Sequence, residues 1–201
     1  MYSVMKKILV FICCIALCKI AAAQKDSLAT DEHGKYIYYK VVNSGSAAST
    51  VLYNRALDFF TNAYDKNTLK LISQDTKAMS LSGEAIFMVS KKSAIAKHDD
   101  GRINCKVVVE VKDSRYRYWF TDFVFTPYVR DRYNNYVPQT GFDIPIEKAE
   151  SKYDKKDITH YLDECAAFAK TAGKKLEQYM HGMPVAKKDT VAKKVISINK
   201  W

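Results

Sequence analysis

Arg115-Tyr116-Arg117-Tyr118-Trp119 joins fixed positive charge to planar rings within five residues. Guanidinium groups and aromatic rings on one surface can stack on sugars, bases or peptide side chains and hold an anion beside them. Further along, Tyr128, Tyr133 and Tyr136 add rings in a stretch with several charges. Arg115, Arg117, Trp119, Tyr128, Tyr133 and Tyr136 are therefore the candidate ligand-binding residues, for a partner protein or a small ligand. The bland reading stands beside this one. Strands carry these residue types anyway, and cross-strand pairs of them stabilise a sheet.

Other reactive side chains are sparse. His160 and Glu164 stand four apart, with Asp157 three residues before the histidine. On a helix they would share a face and could offer acid-base groups or metal ligands. The bland reading, a solvated face with one i,i+4 pair, stands well ahead, because a metal site needs more converging ligands than these. No second ligand motif accompanies them. Cys105 and Cys165 each fall on an apolar stripe, so a helix lying over that strand would bring them together. In an oxidising compartment they could pair as a disulfide; two buried free thiols are the alternative. The sequence contains no nucleophile motif, no glycine-rich phosphate loop and no zinc-protease pattern. No catalytic residue and no cofactor is therefore assigned.

These residues need elements to position them. Residues 102–112 alternate, with Ile103, Cys105, Val107, Val109 and Val111 on one face, which predicts a half-buried strand. Asp113-Ser114 suits a two-residue turn, and residues 115–128 form the returning strand. Tyr116, Tyr118 and Phe120 share one parity, whereas Trp119, Phe123 and Phe125 share the other. The apolar set changes face between Phe120 and Phe123, and a β-bulge or a strand crossing would do that. Earlier strands are predicted at 36–42, 68–73 and 78–90, with Gly83 marking a bulge. A helix capped by Ser49 or Thr50 follows the first strand, with Leu52, Ala56, Phe59, Phe60 and Ala63 on its apolar side. Asp99-Asp100-Gly101 reads as a turn. Residues 128–156 read as one long loop, and a loop of that length is often functional or mobile. A second helix begins near Asp157, is apolar at Ile158, Tyr161, Leu162, Cys165, Phe168, Ala169, Ala172, Leu176 and Tyr179, and stops at Gly182.

The termini differ from the body. Lys6-Lys7, an apolar run at 8–17 and Ala21-Ala22-Ala23 read as a secretory signal peptide over 1–23, cut after Ala23. Leu17 before Cys18 argues against a lipidation signal. Residues 24–34 read as a flexible lead-in and 182–201 as a tail with five lysines and one aspartate. Of the formal net charge of +10, the leader and the tail hold seven, leaving +3 on the body. That balance argues against nucleic acid as the partner. It leaves peripheral contact of the tail with an anionic membrane as an option. The expected address is the periplasm or cell envelope, or secretion.

The order strand, helix, four strands, helix predicts an α+β layer structure over 35–181. Lys40-Val-Val42, Leu52-Tyr-Asn-Arg-Ala56, Gly83-Glu-Ala85 and above all Val111-Lys-Asp-Ser-Arg-Tyr-Arg-Tyr118 resemble DUF4468, a bacterial family of unknown function, across roughly 37–126. The resemblance implies a single TBP-like domain, an antiparallel five-stranded sheet with two helices on one face, in an envelope-directed protein. The family usually has glycine where this chain has Ser114. The resemblance supplies no catalytic residues, and a fold name does not imply DNA binding.

Overall fold

The structure is a computed structural model and describes residues 28–92 and 97–182. The expected signal peptide, the first residues of the lead-in and the tail beyond Gly182 lie outside the described residues. In chain order the elements are β1 (Ala29–Thr30), β2 (Tyr36–Asn43), α1 (Ser49–Asn62), β3 (Leu69–Asp75), β4 (Ser80–Lys92), β5 (Lys97–Lys112), β6 (Arg115–Arg130), β7 (Tyr136–Pro138), β8 (Ile144–Pro145), a 3-10 turn (Ile146–Ser151) and α2 (Lys155–Met180). The sheet runs β1-β2-β6-β5-β4-β3, all antiparallel, with β7 and β8 paired to the far half of β6. The five expected strands are β2 to β6. The three extra ones are two or three residues long, too short to leave a periodic signal.

Both helices cover the same side of the sheet. α1 lies on β3, β4 and β5, and α2 on β2, β4 and β6. Leu52, Tyr53, Ala56, Phe59 and Phe60 of α1 and Tyr161, Cys165, Ala169, Ala172 and Leu176 of α2 are buried against that side. The expected apolar stripes are thus the packed ones, because period 3.6 aligns them along one face. α1 starts on Ala48 as its cap, without a side-chain cap bond, so neither Ser49 nor Thr50 caps it. α2 starts earlier than Asp157, with Asp154 at the cap position. Gly182 ends it at φ 70°, a left-handed conformation that glycine adopts without strain.

The parity break in β6 is a bulge. Lys106 pairs with Thr121 and Asn104 with Val124, so Asp122 and Phe123 together face one residue of β5. Asp122 takes φ 54° there and forms an ion pair with Lys35. By taking the extra residue out of the alternation, the bulge keeps Tyr116, Tyr118 and Phe120 on the same buried side as Phe123 and Phe125. Trp119 therefore faces the opposite side from Phe123 and Phe125 despite sharing their parity.

Three local expectations change. Gly83 is not itself the bulge. The irregularity lies opposite it at Ile72 of β3, and a Cβ on Gly83 would meet Phe60 Cε1 and the Lys70 carbonyl, both at 2.6 Å. Its role is to let α1 approach the sheet. Asp99-Asp100-Gly101 is not a turn, because β5 begins at Lys97 and Asp100 is bulged out between the Ser90–Asp99 and Val89–Gly101 pairs. Residues 128–156 are not one loop. Tyr128–Arg130 pair with Tyr136–Pro138 around a turn in which the Asp131 carboxylate accepts from the backbone N–H groups of Tyr133 and Asn135. β8 and the 3-10 turn then lead into α2.

Candidate functional site

With the helices on one side, the other side of the sheet is bare, and the hairpin's charged and aromatic residues point onto it. β2 contributes Tyr39 and Val41, which pair in register with Trp119 and Arg117 of β6. These two β2 side chains are 49 % and 50 % exposed. Trp119 lies over Val108, its register partner on β5, which is buried. The rings of Tyr39 and Trp119 are 6.5 Å apart and tilted. The Arg117 guanidinium carbon sits 5.5 Å from the Trp119 ring centre.

Arg117 is held in place. Its Nε donates to Glu110 Oε2 at 2.7 Å and its Nη2 lies 2.5 Å from the same oxygen. Hydrogen bonds to Glu110 first, and then to the Tyr39 side chain, raise the affinity of the guanidinium for its proton. Two points of attachment fix its plane, which pre-organises it for stacking or for a second anion. A shallow depression of about 200 Å³ opens here, lined by Tyr39, Val41, Glu110, Lys112, Arg115 and Arg117. The exposed cations outnumber the single carboxylate, and that carboxylate is taken by Arg117.

The structure separates the other candidates from this cluster. Tyr128 lies nine residues beyond Trp119 on the same strand, roughly 30 Å away at the usual rise per residue. Tyr133 and Tyr136 belong to the β6–β7 hairpin at that far end, where Arg132 and Arg130 lie over their rings at 4.9 and 5.0 Å. The six candidates therefore form two Arg-aromatic groups at opposite ends of β6. Tyr39, Val41 and Glu110 complete the first group and were missed as site residues. The signal was present, since Tyr39 and Val41 share a parity in their strand, but one sequence does not say which strand lies beside which.

A second trough of about 420 Å³ lies further along the bare face, bordered by Ser82, Glu84, Asn104, Lys106, Asp122 and Asp143. Asn104 donates from Nδ2 to Glu84 Oε1 at 3.2 Å, while its Oδ1 is buried without a partner. Asp143 accepts from Thr126 Oγ1 at 2.5 Å.

The helix-side groups have structural partners. His160 Nε2 lies 2.9 Å from the Ser90 carbonyl, and Tyr161 donates to the bulged Asp100. The bulge in β5 thus aims its carboxylate at α2. No group of three or more His, Cys, Asp or Glu side chains able to hold a metal occurs among the described residues. Tyr118 donates to Glu177 Oε1 at 2.7 Å, and Lys40 Nζ lies 2.6 Å from the same oxygen. Burial opposes ionisation of Glu177, but the bonds from Lys40 and Tyr118 outweigh it and lower its pKa. Cys105 and Cys165 are buried, free thiols. They lie on facing surfaces of β5 and α2, close enough for Cys105 to bear on the Cys165 thiol, and burial pushes both pKa values up.

Fold and surface together define a two-layer, TBP-like α+β domain that keeps one sheet face open. Residues 38–126 match the family model described as "Domain of unknown function (DUF4468) with TBP-like fold". The domain in that span belongs to the DUF4468 family. A DUF4468 family protein from Bacteroides ovatus, solved by crystallography, is similar at a TM-score of 0.57 and 10 % identity, over 80 % of this chain and 92 % of that one. A TBP-like protein from Parabacteroides distasonis is similar at a TM-score of 0.55 and 14 % identity, over 76 % and 96 % of the two chains. At such identities the likeness is one of fold. No curated protein matches the sequence. Among the described residues no helix is long and apolar enough to cross a membrane.

Proposed function

We propose that this chain is an exported, non-enzymatic binding module of the cell envelope, and that the Tyr39–Arg117–Trp119 end of its bare sheet face holds the ligand. One observation carries the reading. Two helices bury one side of the sheet, yet the other side keeps half-exposed Tyr39 and Val41 beside a guanidinium already fixed by Glu110. Exposed apolar groups rimmed by charge are the usual mark of an interaction surface. Fixing Arg117 in advance lowers the entropy lost on binding. The ligand this chemistry suits is amphipathic, with an apolar or planar part for Tyr39 and Trp119 and an anionic part for Arg115 and Lys112. Export rests on the leader-like residues 1–23.

Photo-crosslinking in the native cell envelope tests it. A benzoylphenylalanine at position 39 should give a discrete adduct, and the same residue at position 159, on the exposed side of α2, should not. Adding Arg117→Ala and Trp119→Ala should abolish the adduct. No adduct at position 39, or an adduct indifferent to those changes, refutes the assignment.

A further inference from the structure

The two long edges of the sheet are finished differently. At one edge, β3 carries Lys70 and Asp75 and is broken by the bulge at Ile72. Charges and bulges of this kind stop an edge from pairing with another strand. At the other edge, β1 pairs only with Tyr36 and Ile37 of β2. Over Tyr38–Asn43, β2 is bonded to β6 on its inner side in unbroken register. No strand among the described residues lies on its outer side. Tyr39, Lys40 and Val41 are consecutive and all exposed. Exposure on both faces in succession is what an uncovered edge gives, since neighbouring side chains point to opposite sides. This stretch has no proline and no bulge. Its one charge, Lys40, is turned to Glu177.

We propose that the Tyr38–Asn43 edge of β2 is a strand acceptor, and that it takes an extended acidic segment of a partner protein by antiparallel or parallel addition to the sheet. The proposal rests on the binding reading above and names its partner class. Main-chain bonds along an edge give affinity, and alternate side chains of the added strand give specificity. Residues of that strand on the bare side would pack beside Tyr39 and Val41. Arg115 on β6 lies about 10 Å from such a strand, at two inter-strand spacings, and Lys112 on β5 lies one strand further in, about 14 Å away. Arg115 and Lys112 have no ion pair among the described residues, and the Arg115 separation is about one screening length at 0.1 M salt, so the attraction is strongest at low ionic strength. An acidic segment answers that excess. A second copy of this chain would bring the same cations to the same edge, so it fits less well.

The test uses residues 24–201 carrying Trp201→Phe, which leaves Trp119 as the only tryptophan. The probe is a capped heptapeptide of alternating glutamate and valine. Two derivatives are N-methylated on alternate amides, one on each set, which removes donors on one side and keeps every side chain. The parent peptide should change Trp119 fluorescence and slow hydrogen exchange at alternate amides within 38–43. One methylated derivative should bind at least tenfold more weakly than the other. A lysine-valine heptapeptide should also bind at least tenfold more weakly than the parent. If both methylated peptides bind like the parent and still perturb Trp119, edge pairing is refuted while the bare-face site stands. If the peptide leaves Trp119 unchanged and the position-39 crosslink is absent as well, both fail. If the crosslink persists while the peptide does nothing, only the strand-acceptor assignment fails. Slow exchange in the protein alone at the outward amides of 38–43, the set not bonded to β6, also overturns it, with or without a dimer by sedimentation, because the edge would already be taken.

Discussion

Gly173→Ala puts the contact between α2 and β6 to a sharp test. Alanine in a helix interior ordinarily stabilises by about 1 kcal/mol over glycine. Here an added Cβ would stand 2.5 Å from the Tyr118 hydroxyl oxygen, 2.8 Å from its Cε2 and 3.0 Å from its Cζ. The ring is buried and its hydroxyl is bonded to Glu177, so it cannot swing aside freely. Overpacking of this kind costs about 1–3 kcal/mol. Displacing the bond to the Glu177 carboxylate adds about 1.5–3 kcal/mol if the hydroxyl moves away. After the propensity gain, the variant should lose about 2 kcal/mol, within the span of about 0–5 kcal/mol that these terms allow. The assay is urea unfolding of residues 24–201, read by circular dichroism, with the midpoint shift taken at constant m-value. Tyr118→Phe supplies the second arm. It removes the closest clashing atom, so the double variant should be more stable than the sum of the two single losses implies. A Gly173→Ala protein that gains stability would refute the reasoning, for it would mean that α2 stands further from Tyr118 than described.

Ser114→Gly in the β5–β6 turn should raise stability by up to about 1 kcal/mol, measured by the same unfolding curves, because Ser114 sits at φ 63°. A loss would show that the serine side chain contributes more than its backbone strain costs. Burial raises the phenol pKa of Tyr116, Tyr118 and Tyr161, with Glu177 adding to the first two and Asp100 to the third. Each group therefore lends stability that is fully present below the ordinary tyrosine value of about 10 and is lost as pH rises above it. The urea midpoint should be level through neutral pH and fall steeply above about pH 10; a flat profile to pH 11 would exclude these phenols as the cause. Cys105 and Cys165 should resist a thiol reagent in the native protein and both react in urea. Thiols absent in urea but recovered after reduction would show a disulfide instead.

The hairpin, both helices and the face change in β6 were legible because each rests on local periodicity. Val107, Val109 and Val111 alternate over a long run, and the parity break at Phe120–Phe123 had few physical solutions. The β6–β7 hairpin was not legible. Its strands are short, Pro138 discouraged a strand reading, and the signal lay in Asp131 and Asn134, whose side chains and φ of 66° build the turn. Asp100 was read as a turn residue for the same reason of composition, whereas tertiary pairing with Tyr161 decides its role. The site was half legible. Arg117 and Trp119 announced themselves by type, but their partnership with Tyr39 and Glu110 depends on register between strands distant in sequence. Tyr128, Tyr133 and Tyr136 looked adjacent to them only because sequence does not measure the length of a straight strand.

The bulge at Asp122 makes β6 two ladders spliced out of phase by one residue. Its two halves obey opposite rules for which parity is wet. A substitution in either half is felt locally, but loss of the splice is not local. Were Asp122 drawn into a regular ladder, composition and local propensities would be unchanged, yet strict alternation would carry Phe123 and Phe125 to the side of Trp119. The aromatic floor beneath α2 would be emptied at one end and spilled onto the open face. The bulge that takes the surplus residue out of the count is thus what keeps the molecule's inside and outside consistent from one end of the strand to the other.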